Sequence, residues 1–166
     1  MTRILSLEYD PVVAEFLCAI LQGAGYEALA TANVHEALSI LRTQSIDVLT
    51  LGLGTHDVSP PPSLRRILPS EPVMQEWPVP AMNGEEFLRL LKDDACLRHI
   101  PVLLLTGYCR EACTQFLQKF GLDLDQDVAG YVQKGELFDK ELLDSVEIVL
   151  NNHRKQLPPE APQTKR

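Results

Sequence analysis

The 166-residue chain has no apolar run approaching the roughly 20 residues of a membrane-spanning helix. Its opening, MTRILSLEYD, lacks the apolar core of a secretory signal. Positive charge is scarce, with 15 Lys and Arg against 23 Asp and Glu and a net charge of −8. An acidic surface repels phosphate backbones and anionic lipid, so the charge balance argues against nucleic-acid and membrane partners. Cysteine is sparse and scattered: Cys18, Cys96, Cys109 and Cys113 form no CxxC pair. Cys109 and Cys113 are four apart, but no second Cys or His pair follows at zinc spacing. Free thiols in a reducing, cytoplasmic setting are the expectation. No internal repeat is present. The acidic run Asp123–Asp127 has Val128 where a calcium loop needs glycine and Lys134 where it needs glutamate, so it reads as a solvated loop.

What is present is a folded chain, 45% hydrophobic and long enough for one domain with a real core. Arg3–Glu8 is a short apolar run. Asp10-Pro11 then pairs a good N-cap with a good first helical residue. The helix that follows is expected to bury Val12, Val13, Phe16, Leu17, Ile20 and Leu21, with Gly23 and Gly25 as stop signals. A second strand is expected at Tyr26–Ala30, a helix capped by Asn33, and a third strand at Ile46–Leu51 with Gly52 at its end. Order returns after Asn83 with a helix from Gly84 to about Ala95. A strand at Ile100–Thr106, a helix at Arg110–Phe120, a strand at Val128–Gln133 and a last helix from Glu136 to about His153 complete the pattern.

Strands and helices alternate five times. The pattern predicts an α/β fold, a doubly wound, five-stranded parallel sheet in the flavodoxin-like order 2-1-3-4-5, with helices on both faces. Ligands of such sheets bind at the carboxyl ends of strands 1 and 3, here Glu8-Tyr9-Asp10 and Leu51-Gly52-Leu53. No Ser/Thr/Gly-rich phosphate loop follows strand 1, which disfavours a flavodoxin-type redox domain. One domain is expected over residues 3–153, with a polar, Pro-rich and disordered tail over 154–166.

Residues 53–78 interrupt the regularity. Between Gly52 and Pro80 lie seven of the twelve prolines: Pro60, Pro61, Pro62, Pro69, Pro72, Pro78 and Pro80. Proline removes donors and breaks helices, so an inserted loop is expected. Its apolar residues Leu64, Ile67, Leu68, Val73, Met74 and Trp77 are too many for a purely solvated loop. They either close as a lid over the strand ends or meet a partner. The lid is favoured, because an exposed apolar patch invites aggregation.

The motifs ILSLEYDP, GYEALATANVHEALSIL, DVLTLG, VPAMNGEEFLRLLK, IPVLLLTGY and GYVQKGEL stand in an order that resembles the receiver domain of two-component response regulators. The resemblance covers residues 3–52 and about 79–150. It implies a cytoplasmic phosphorelay module in which an aspartate ending strand 3 accepts a phosphoryl group from a sensor kinase. Two acidic residues after strand 1 help that aspartate hold Mg²⁺, and a hydroxyl and an ammonium group bind the phosphoryl oxygens. Carried over residue by residue, the acidic pair becomes Glu8 and Tyr9. The acceptor becomes Gly52, the hydroxyl Thr106, the ammonium Lys134 and the switch-like aromatic Tyr131. The residue after the lysine, usually proline, is Gly135.

The phosphate-binding half is therefore kept and the nucleophilic half lost. Glycine cannot form an acyl phosphate, and without the acceptor carboxylate the only weak Mg²⁺ candidates are Glu8 and Asp10, the latter expected to cap a helix. The resemblance then implies no catalysis, no cofactor and a role in protein–protein contact. The partner would be a sensor kinase or other signalling protein, or a second copy through helix 4, strand 5 and helix 5. Thr106 and Lys134 either bind an anion or small ligand under the insertion or are relics, with Lys134 paired to Glu8. Asp57 is the one carboxylate soon after Gly52 that could substitute as acceptor, but nothing in the sequence positions it. Only a short tail follows His153, so a stand-alone receiver or a fragment of a longer chain is expected.

Overall fold

A computed structural model describes residues 1–53, 83–136 and 138–156. Five parallel strands, β1 (Arg3–Leu7), β2 (Glu27–Thr31), β3 (Val48–Leu53), β4 (Val102–Thr106) and β5 (Gly130–Gln133), form one sheet in the order β2-β1-β3-β4-β5. The connecting elements include α1 (Pro11–Gly23), α2 (Val34–Thr43), α3 (Gly84–Asp93) and α4 (Arg110–Gln118), and α5 (Phe138–Gln156) follows β5. The doubly wound α/β fold is the one the alternating pattern predicts.

Helix starts are encoded locally. Asp10 Oδ1 accepts the N–H groups of Val12 (2.9 Å) and Val13 (3.4 Å), and Pro11 takes the first helical position of α1. Asn33 caps α2 in the same way. At α3, Asn83 and Glu86 exchange side-chain-to-backbone bonds of 2.8 and 3.0 Å, a reciprocal capping box.

Strand alternation sorts the core into two layers. Leu5, Leu7, Leu49, Leu51, Val102 and Leu104 pack with residues of α2, α3 and α4. Ile4, Val48, Leu103, Leu105 and Val132 pack with residues of α1 and α5. Both faces are covered, which is why β3 and β4 are buried along their whole length. Ser6 and Thr50 are polar yet fully buried, and the Thr50 hydroxyl donates to Ser6 Oγ at 2.7 Å.

The structure departs from the sequence reading in several places. β3 does not stop before Gly52. It continues to Leu53, with Gly52 opposite Leu105 and Leu53 opposite Thr106, because a glycine backbone keeps the ladder with β4 intact. α1 does not bury all its apolar residues: Val12 is 73% and Phe16 51% exposed, while Ala14, Leu17 and Leu21 form the buried stripe. A helix laid on one sheet face covers only one stripe. α5 runs to Gln156, past the expected end at His153, so residues 154–156 are helix and not tail. The proposed lid residues Leu64, Ile67, Leu68, Val73, Met74 and Trp77, and the substitute acceptor Asp57, lie outside the described residues, as does the rest of the tail.

Candidate functional site

The carboxyl edge of the sheet brings together residues far apart in sequence. Glu8 directly follows β1, and its N–H donates to the Thr31 carbonyl at 3.0 Å, extending the β1–β2 ladder. Lys134 directly follows β5, and its N–H donates to the Thr106 carbonyl at 2.7 Å. Their side chains meet: Lys134 Nζ lies 2.7 Å from Glu8 Oε2. The carboxylate side is buried, the Glu8 side chain being 8% exposed against 30% for Lys134.

Gly52 lies beneath this pair. A Cβ built on Gly52 would stand 2.8 Å from Glu8 Oε2, 3.1 Å from its Cδ and 3.2 Å from its Oε1. The Glu8 carboxylate thus reaches into the space that a side chain at position 52 would use. The Glu8 side chain, just after β1, takes room that glycine leaves open on β3.

Thr106 is at the same sheet edge but belongs to the other layer. It is fully buried, its Oγ accepts the Tyr108 N–H at 3.1 Å, and it bonds the Cys113 side chain on α4. Alternation explains the split. Gly52 is even-spaced from Val48, and Lys134 from Val132, on the α1/α5 layer, whereas Thr106 is even-spaced from Val102 and Leu104 on the opposite one. Tyr131 extends the Thr106 side of the site: its hydroxyl donates to the Tyr108 carbonyl, and burial pushes its pKa up. Burial likewise raises the Cys113 thiol.

Tyr9 stands among acidic groups. Burial first, then the charges of Glu85, Glu8 and Glu86, push its pKa to about 12. Asp10 is committed to the α1 cap, and its own N–H donates to Glu8 Oε1 at 3.4 Å. This donor set suits Mg²⁺ poorly. The ion prefers octahedral oxygen ligands, mostly carboxylate and water. Here one carboxylate holds a lysine, one caps a helix, and the remaining two positions carry a phenol and no side chain. Among the described residues no group of three His, Cys, Asp or Glu could hold a metal ion.

Two contributors were missed by sequence reasoning. Gly84 opens α3 so close to the sheet that a Cβ there would lie 2.5 Å from the Gly52 carbonyl oxygen. Its signal was a poor helix former placed just after the Asn83 cap. Glu85, only 8% exposed, brings a second buried carboxylate to the edge, and nothing in its sequence context marks it.

No protein-family model matches the chain. It is 26% identical over 105 residues to the phosphate regulon transcriptional regulatory protein PhoB of Klebsiella pneumoniae, a match covering 63% of this chain and 35% of that protein. It is 24% identical over 104 residues to the polar-differentiation response regulator DivK of Brucella anthropi, covering 63% of this chain and 65% of that one. The chain matches less than two thirds of either relative. A solved signal receiver domain of a signal transduction histidine kinase from Syntrophus aciditrophicus superposes with a TM-score of 0.65 at 22% identity, over 97% of this chain and 98% of that one. The fold is that of a response-regulator receiver domain. On the receiver fold Glu8, Gly52 and Lys134 share one cluster, and Thr106 with Tyr131 forms a second, linked to the first through the Lys134–Thr106 backbone bond. No described helix is long and apolar enough to cross a membrane.

Proposed function

We propose that the chain is a receiver-like module of two-component signalling that works by protein–protein contact, without phosphorylation of its pocket. The observation that carries this reading is Gly52 with the Glu8 carboxylate in its side-chain space. Phosphoryl transfer needs a positioned nucleophile and positive charge on the equatorial oxygens. Position 52 offers no nucleophile, and the cation Lys134 is already neutralised at 2.7 Å. The module is then neither an enzyme nor a Mg²⁺ protein. Its place is the cytoplasm, and its partner is a sensor kinase or another signalling protein. The contact face is α4, β5 and α5, where Tyr131 is already bonded inward to Tyr108. An anion-binding role for Thr106 and Lys134 has less support, since Lys134 holds Glu8 and the Thr106 hydroxyl serves the β4–α4 turn.

Incubation with acetyl phosphate and Mg²⁺, followed by intact mass, tests the reading. No phosphoryl adduct is expected. A stable adduct that maps to Glu8 or its neighbours at the sheet edge overturns it.

A further inference from the structure

We infer that Glu8 is the pocket's resident anion: a carboxylate-binding site at the carboxyl edge of the sheet is filled by the chain itself, which latches β1 to β5 across the bare backbone of Gly52. This deepens, and rests on, the reading of the pocket as one that takes no phosphoryl group. Three observations converge on it. The carboxylate is buried, so its charge requires a partner, and Lys134 supplies one at 2.7 Å. Asp10 N–H supplies a second, longer donor at 3.4 Å. The carboxylate lies where any side chain at position 52 would stand, at 2.8–3.2 Å from that Cβ position. Glycine at 52 thus leaves the latch its room, since a side chain there would have to push the Glu8 carboxylate aside.

The Lys134 backbone is bonded to Thr106 O, the Thr106 hydroxyl to Tyr108 N–H, and Tyr108 O to the Tyr131 hydroxyl. The latched Lys134 thus stands at one end of a bonded chain that runs to Tyr131 on β5.

If the pocket binds a carboxylate, removing Glu8 should let a free one in. Glu8→Ala is expected to lower Tm by about 4–8 °C, the scale set by losing one partner of a partly buried pair. Sodium acetate, at roughly three times its dissociation constant and against sodium chloride of equal ionic strength, should then restore about 2–3 °C. The native chain should show no acetate response, and Lys134→Ala added to Glu8→Ala should abolish it. A folded Glu8→Ala protein indifferent to acetate, or a native chain that responds equally, overturns the inference.

Should Glu8→Ala not fold, Gly52→Ala in the native background carries the test through the Lys134 ammonium NMR signal. The new methyl should displace the carboxylate and shift that signal; an unshifted signal overturns the latch. A phosphoryl adduct on the native chain would instead defeat the phosphorylation-independent reading, so the two failures have separate readouts, covalent mass and acetate-dependent melting.

Discussion

Glycine 84 sits where helix propensity and packing oppose each other. Replacing a helical glycine with alanine ordinarily gains up to about 1 kcal/mol. Here the added methyl would meet the Gly52 carbonyl oxygen at 2.5 Å, a backbone atom that cannot turn aside. Gly84→Ala should therefore destabilise the protein by about 1–3 kcal/mol in urea unfolding. A neutral or stabilising result would mean that α3 shifts freely on the sheet. Tyr9 supports a second residue-level prediction. Its pKa rises from 10.0 to about 12 on folding, so the folded state resists losing this proton. The contribution is fully present below pH 10 and is lost as pH climbs through about 12. Phenolate absorbance should show one tyrosine titrating last, after the raised Tyr26 and Tyr131, and Tyr9→Phe should remove that last component. Chain position alone set Tyr9 where the receiver resemblance implies an acidic residue. It did not show that Glu8, Glu85 and Glu86 surround the phenol, since Glu85 and Glu86 enter from a distant helix.

At the scale of elements, the caps were the most readable features. Asp10-Pro11 and Asn83 with Glu86 announce helix starts by residue type and spacing alone, and the side-chain bonds follow. This assigns Asp10 a structural duty that competes with metal binding. Asp10→Ala should cost about 0.5–2 kcal/mol in chemical unfolding, the usual range for losing an N-cap. It should cost the same with and without Mg²⁺; a Mg²⁺-dependent difference would return Asp10 to the metal candidates. Element ends were less readable. β3 continues past the expected Leu51 because pairing with β4, and not the propensity of glycine, decides where a strand stops. Val12 and Phe16 fit helical spacing, yet remain exposed because their angular position on α1 turns them from the sheet. Periodicity shows that a helix is amphipathic, but not how wide a stripe its neighbours will cover.

At the scale of the whole molecule, the proposed receiver-like reading predicts that an aspartate at position 52 is not enough to make the pocket take a phosphoryl group. Gly52→Asp would set a second carboxylate against Glu8, which already lies within 3.2 Å of the Cβ position. Like charges at that distance disfavour joint ionisation. Gly52→Asp alone, and Gly52→Asp with Tyr9→Asp, should both fail to take a phosphoryl group from acetyl phosphate and Mg²⁺. Adding Glu8→Asp shortens the intruding side chain by one methylene and frees Lys134. The triple variant should then show a phosphoryl increment by intact mass. Uptake by the double variant would mean that Glu8 yields its place readily, and the latch would be weaker than its geometry suggests.

The sequence by itself determined the architecture and the bare backbone at position 52. Apolar strands alternating with amphipathic helices leave few solutions other than this sheet, and a glycine at the end of β3 offers no side chain whatever surrounds it. Tertiary structure alone decided what fills that space. Glu8 and Lys134 are 126 positions apart, and their pairing required the sheet to align the ends of β1 and β5. The placement of Thr106 in the opposite layer, and the reach of Glu8 over Gly52, depend on which face each strand presents and how far one flexible side chain extends. Those are consequences of packing in three dimensions, and no local pattern carries them.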